Sequence, residues 1–277
     1  MTVADFRKKE QQRFADAMRE KGSSEGYISR TLSVVRAAPR RAYDNEEIAS
    51  IPPFIRLARG EPRDRVLSLT ESAALFNAAN GDAQFLYLLL AFGTCARPSA
   101  ILDLTKEQID FDRGLIRLNP PKRRQTKKWR PVIPMVETLR PWLEAALDGP
   151  IIRHKRGRYT KWGWNAIFKR IVKRAGLTEV SPYAIRHTVA TEMAQRGVPQ
   201  LEIEMFMGHN LASKNITGHY IHVRPEFLKS AVKALGEYFE ALAPLVARPI
   251  SRIELEEQPT VSEWPDAAML VELGMRR

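Results

Sequence analysis

The chain contains a single cysteine, Cys95, among 277 residues, so no disulfide can close within it, and a reducing compartment is expected. No run approaches the roughly 20 apolar residues of a helical membrane span, and the opening MTVADFRKKEQQRF has no apolar signal core. Both absences predict a soluble, cytoplasmic protein. The chain also has no glycine-rich phosphate loop and no cysteine-rich zinc spacing, and no cluster of carboxylates between residues 181 and 223. That argues against an NTPase and against a nuclease working through divalent metal, and no cofactor is expected.

Acidic charge is also short: 44 Lys and Arg stand against 32 Asp and Glu, a formal charge of +12, with a pI near 9.9. A polyanion is the partner such a surface suits. The charge is concentrated. Lys122, Arg123, Arg124, Lys127, Lys128 and Arg130 form one run, and Arg153, Lys155, Arg156, Arg158 and Lys161 a second, interleaved with Tyr159, Trp162 and Trp164. DNA contact is expected from Lys122, Arg123, Arg124, Lys128, Arg130, Arg156 and Lys161, with affinity that falls steeply with salt.

The length allows a full core and two domains. Helices are predicted over 4–21 and 27–42, with Gly22 to Ser24 between them, and IPPFIRLARGEPRDR (51–65) has the proline and charge of a boundary. The division expected is 1–60, 61–250 and an acidic tail 251–277, docked on a protein surface or disordered. Ser68 and Glu71 have capping-box spacing ahead of a helix. QFLYLLLAFGT (84–94) is apolar on nearly every side and reads as a buried helix, and Pro98 suits the first position of the next. GLIRL and RPVIP read as strands around a basic hairpin. Helices follow over 136–147, 161–175, 182–196 and 199–207, with Gly197 and Gly208 as stops. The fold class is therefore mainly α with a small antiparallel β-sheet.

The chemistry concentrates in SPYAIRHTVATEMAQRGVPQLEIEMFMGHNLASKNITGHYIHV (181–223). Ile185, Val189 and Met193 recur every four residues, which buries one helix face and holds Arg186 still. A fixed guanidinium can grip two phosphate oxygens. A phenol titrates near pH ~10, so Tyr220 can attack phosphate only beside positive charge or a proton acceptor. His187, next to Arg186, is read as a buried structural histidine. His219 and His222 have no carboxylate or cysteine near them in sequence to complete a metal site.

This segment, together with AFGTCARPSAILDLTKEQIDF (91–111) and RPVIPM (130–135), resembles the tyrosine recombinases of the phage-integrase family over roughly residues 62 to 245. The resemblance implies a catalytic domain preceded by a short helical core-binding-like domain that clasps DNA. It implies Tyr220 as nucleophile forming a 3′-phosphotyrosine without metal or ATP, Arg97 and Arg186 across the scissile phosphate, and His209 donating to a phosphate oxygen. A hairpin lysine would protonate the leaving 5′-oxygen; Lys127 is the choice and Lys122 the alternative. Tyr183 stands where the family usually has histidine. Ala100 stands where an acid usually supports the first arginine, which leaves Asp103, one turn on, to orient Arg97. Four subunits, or a hetero-assembly with a related recombinase, would act on paired sites in double-stranded DNA, in association with the nucleoid. The segment after Tyr220, with Phe227, Val232, Leu235, Phe239 and Leu242 in a stripe, would pack on a neighbour or on its own core. A type IB topoisomerase and a noncatalytic DNA-binding relative of the same fold are the alternative readings.

Overall fold

The computed structural model describes residues 7–57, 64–126, 128–154, 157–209 and 225–250. The chain divides into two compact units at residues 63 and 64. The first holds α1 (Lys8–Glu20) and α2 (Glu25–Asp44), with the Ser24 side chain accepting from Tyr27 N–H at the start of α2. Its core is small: Ala15, Ile28 and Leu32, closed by Phe14, Met18, Ile55 and Leu57. Buried Gln11 straps the chain after the helices, donating to Pro53 O at 2.9 Å and accepting from Ile55 N at 2.9 Å.

The second unit starts with α3 (Leu69–Asn77), where the capping box forms as the spacing predicts: Glu71 N–H donates to Ser68 Oγ at 3.2 Å and Ser68 N–H to Glu71 Oε2 at 2.9 Å. Then come α4 (Asp82–Thr94) and α5 (Pro98–Asp103), with Pro98 in the first turn. Ten consecutive residues of α4, Phe85 to Thr94, are buried, so it runs through the core with no solvent face, as its all-round apolar sequence requires.

A three-stranded antiparallel sheet follows, with β1 (Ile109–Asp110), β2 (Leu115–Arg117) and β3 (Val132–Pro134) in that order. Ile116 pairs with both Ile109 and Ile133, which stacks three isoleucines on the buried side. The helix expected over 136–147 is interrupted. A 3-10 turn at Glu137–Leu139 leads into a short α6 (Arg140–Glu144), because Pro141 has no N–H to continue a helix and instead suits the start of one. A second hairpin, β4 (Arg153–His154) with β5 (Gly157–Arg158), precedes α7 (Lys161–Arg174), α8 (Pro182–Gln195), α9 (Gln200–Phe206) and α10 (Lys229–Leu242).

The stripe on α10 faces its own unit: Leu235, Phe239 and Leu242 are buried in the main core, whereas Phe227 before the helix is half exposed. Buried Glu202 of α9 caps α10, accepting from Ala231 N–H at 2.8 Å and from Ser230 Oγ. Beyond α10 the chain is fastened to the N-terminal end of α4. Arg248 lies over the rings of Phe85 and Trp142 and pairs with Asp82 at 2.7 Å, Asn77 bonds Leu245 O and Ala247 N, and Trp142 Nε1 donates to Ile250 O at 2.6 Å. Among the described residues, no helix is long and apolar enough to cross a membrane.

Candidate active site

The C-terminal end of α4 is where the two arginines meet. Thr94 Oγ1 donates to Leu90 O and accepts from Ala96 N at 3.2 Å, and Cys95 turns into the left-handed region with φ 49°. The turn aims the Cys95 carbonyl at α8, where it accepts from Arg186 Nη1, while the Cys95 thiol donates to Arg186 O at 3.5 Å. Arg186 Nη2 donates to Met207 O at 2.7 Å. The side chain is buried on the face that also carries Ile185, Val189 and Met193, the periodicity read from the sequence. Two residues after Cys95, half-buried Arg97 sits in extended conformation just before α5 and donates from Nη1 to Trp129 O at 2.7 Å.

Burial, and then the positive charge of Arg186, push the Arg97 guanidinium below its ordinary value, with Arg130 adding in the same direction and Tyr183 opposing. The two guanidiniums are therefore near neighbours. Among the described residues neither forms an ion pair with a carboxylate, so their charges add rather than cancel. Such a place attracts an anion, and planar guanidiniums can each offer two parallel N–H bonds to phosphate oxygens.

The loop after α9 presses into the same place. Gly208 ends α9 at φ 71°, and its N–H donates to Met205 O at 2.9 Å. A Cβ on Gly208 would lie 2.5 Å from Pro131 Cδ and 2.8 Å from Trp129 O, so the close approach requires glycine. His209 follows, partly buried, with its N–H on Glu204 O at 2.8 Å. Trp129 O is thus touched on one side by Arg97 and on the other by the backbone that leads into His209.

The basic hairpin between β2 and β3 does not present all its cations outward. Lys122, Arg124 and Lys128 are exposed, as is Lys161 at the start of α7. Arg123 is partly buried and turned onto its own loop, donating to Asn119 Oδ1 at 2.5 Å and Thr126 Oγ1 at 3.1 Å. Arg130 corrects the reading of it as a DNA contact. It is only 8% exposed and donates from Nη2 to Asp103 Oδ2 at 2.8 Å and to Ser99 Oγ at 3.3 Å, because the end of α5 offers it a carboxylate beneath the hairpin.

Asp103 therefore does not touch Arg97 directly; its other oxygen accepts from Arg158 Nη1 of β5 at 3.4 Å. Tyr183, in the first turn of α8, is 51% exposed. His187 is exposed rather than buried, since one residue beyond Arg186 the helix has turned about 100° toward solvent. Ala100 is buried in the core. Lys127, Arg156 and Tyr220 lie outside the described residues, as do His219 and His222. Among the described residues no three His, Cys, Asp or Glu gather as a metal-holding group. The sequence reading missed Gln125, Trp129 and the inward role of Arg130; a carbonyl acceptor carries no sequence signal, and a buried arginine in a basic run looks like its exposed neighbours.

Known proteins share this arrangement of elements. The chain is 29% identical over 224 residues to the tyrosine recombinase XerA of Thermococcus kodakarensis, covering 74% of this chain and 75% of that protein. It is 25% identical over 245 residues to the tyrosine recombinase XerC of Staphylococcus saprophyticus, covering 81% and 80%. The fold is similar to that of the Tn1549 transposon integrase in complex with circular intermediate DNA, with a TM-score of 0.61 at 19% identity over 83% of this chain and 86% of that one. A lambda integrase dimer bound to a core site gives 0.61 at 18% identity over 80% and 84%. The family model described as the phage integrase family matches residues 65–226, more than half of the chain, and the protein belongs to that family.

Proposed function

We propose that this protein is a site-specific DNA recombinase or integrase that cuts and rejoins DNA through a 3′-phosphotyrosine on Tyr220. The observation that carries this reading is the convergence of Arg97 and Arg186, uncompensated by any carboxylate among the described residues, beside the backbone leading into His209. Tyr220 releases its phenol proton to water as its oxygen attacks phosphorus, the bond to the 5′-oxygen breaks, and a hairpin lysine, Lys127, gives that leaving oxygen a proton. Arg97 and Arg186 offset the charge that builds on the two nonbridging oxygens in the transition state, and His209 donates a further hydrogen bond. The phosphotyrosine conserves the phosphodiester energy, so a 5′-hydroxyl from a partner strand can reverse the step without ATP.

The role of Tyr183 is to hydrogen-bond phosphate from the exposed first turn of α8. Lys122, Arg124, Lys128, Arg156 and Lys161 contact the DNA backbone, and the N-terminal unit clasps the duplex. Four copies, or a mixed assembly with a related recombinase, act on two sites.

The test is covalent trapping on nicked DNA from the flanks of the protein's own locus, without added metal, for the native chain and Tyr220→Phe. An adduct that disappears in the variant supports the reading. DNA binding without an adduct in both, on several sites, refutes it in favour of a noncatalytic DNA-binding protein. Resealing of single sites without exchange between paired sites would instead indicate topoisomerase-like activity.

A further inference from the structure

Trp129 and Arg130 share one peptide unit, and each end of it is held. The Trp129 carbonyl accepts from Arg97 Nη1 at 2.7 Å, and the Arg130 N–H donates to Gln125 Oε1 at 3.2 Å. Gln125 also donates from Nε2 to Arg130 O at 2.8 Å, so one side chain holds both backbone groups of Arg130, as a strand partner would. Because the peptide is planar, fixing its N–H fixes the direction of its carbonyl. The Arg130 side chain then anchors the residue from below, through the 2.8 Å bond to Asp103 at the end of the helix that Arg97 precedes.

We propose that Asp103, Arg130 and Gln125 are positioning residues that orient Arg97 through the Trp129 carbonyl. The circuit of bonds is closed: Arg97 to Trp129 O, across the peptide to Arg130, from its guanidinium to Asp103, and back along α5 to Arg97. Arg186 is held in a similar way, by the carbonyls of Cys95 and Met207. A carbonyl directs a guanidinium without neutralising it, whereas a carboxylate in the same position would cancel part of the charge needed at the phosphate. The one carboxylate in this network is therefore kept away from Arg97 and engaged by Arg130, which is buried, and by Arg158. The same bracket joins Gln125 and Arg130, positions that flank Lys127 in the sequence, which gives two functions that a test must separate.

The proposal rests on the cleavage chemistry proposed above. Asp103→Asn, Arg130→Lys and Gln125→Met are compared with the native chain for melting temperature, DNA affinity and single-turnover adduct formation on nicked DNA. A second substrate carries sulfur in place of the scissile 5′-oxygen, a leaving group that departs without a proton. The expected result is affinity within about twofold of native and adduct formation slowed by roughly 10- to 100-fold in Asp103→Asn and Gln125→Met. The loss persists with the sulfur substrate, and Arg130→Lys, which keeps a cation for Asp103, recovers part of the rate.

Unchanged rates in folded variants would overturn the proposal. So would a loss that the sulfur substrate repairs, since the bracket would then serve proton delivery by Lys127 rather than Arg97. If the native chain forms no adduct, the recombinase reading fails, and the positioning claim is decided on the side chain itself. The Arg97 guanidinium resonances, assigned with Arg97→Lys, should show hindered rotation in the native protein and averaging in Asp103→Asn; identical signals in the two would overturn it.

Discussion

Replacing Gly208 with alanine puts the packing of the candidate site to a quantitative test. Two costs are expected. The residue sits at φ 71°, where a Cβ adds about 1 to 2 kcal/mol of backbone strain. The new methyl would also lie 2.5 Å from Pro131 Cδ and 2.8 Å from Trp129 O, and neither neighbour is the free end of a flexible side chain. Strand and loop must separate by several tenths of an ångström, at about 1 to 3 kcal/mol for a strained insertion into a packed region.

Gly197 supplies the internal control, because it has nearly the same backbone angle, φ 75°, and nothing within 4 Å of its would-be Cβ. Gly197→Ala therefore carries the strain without the collision. Thermal unfolding followed by circular dichroism should place Gly208→Ala below Gly197→Ala by roughly 2 to 12 °C, given the size of the second unit. Adduct formation on nicked DNA should fall in Gly208→Ala, where Trp129 O is pushed off Arg97, and stay native in Gly197→Ala. Equal melting temperatures for the two variants would refute the close approach of α9 and the hairpin.

Four further outcomes follow from the same structure. Burial pushes the Cys95 thiol up to about 11, above its ordinary value of 9.0, so the unfolded chain loses its proton first. The resulting stability is whole below about pH 9 and is lost between there and about 11, and a melting series from pH 8 to 11 should fall less steeply in Cys95→Ser. Removing the carboxylate that caps α10, with Glu202→Ala, leaves the Ala231 N–H and Ser230 hydroxyl without their acceptor and should cost about 1 to 3 kcal/mol in urea unfolding; Glu202→Gln should cost less. Lys122→Ala should lower the salt dependence of DNA binding by about 0.9 in log–log slope, the value for one phosphate left unneutralised. Arg130→Ala should leave that slope unchanged and lower the melting temperature, because its guanidinium faces Asp103.

Features written in neighbouring residues were legible without coordinates. The Ser68–Glu71 capping box, the proline opening α5, the glycine ends of α8 and α9, and the unbroken apolar run of α4 each depend on a span of a few residues. The two-residue strands β1, β4 and β5 were not legible, since a period of two needs more than two residues to show itself. The family resemblance located Arg97, Arg186 and His209, and the structure brings all three toward Trp129 and Gly208. What holds them there was hidden for a simple reason. Trp129 O to Arg97, Arg130 to Asp103 and Cys95 to Arg186 join residues 32, 27 and 91 positions apart, and each depends on a register that only the folded chain sets. The same holds for His187, whose exposure follows from the helix rotation relative to Arg186 rather than from its own side chain.

The fastening of residues 245–250 has a practical consequence for handling the protein. Arg248 and Ile250 are tied beside Asp82 and Phe85 in the first turn of α4 and Trp142 of α6, and the arginines gather around Cys95 just past the last turn of α4. Thirteen helical residues separate those ends, about 20 Å at the usual rise. Whatever follows Ile250, whether the natural acidic segment, an affinity tag or a fluorophore, starts from an anchored post remote from Arg97 and Arg186. A label there keeps a constant offset from the fold, while leaving the residues at the other end of the helix undisturbed.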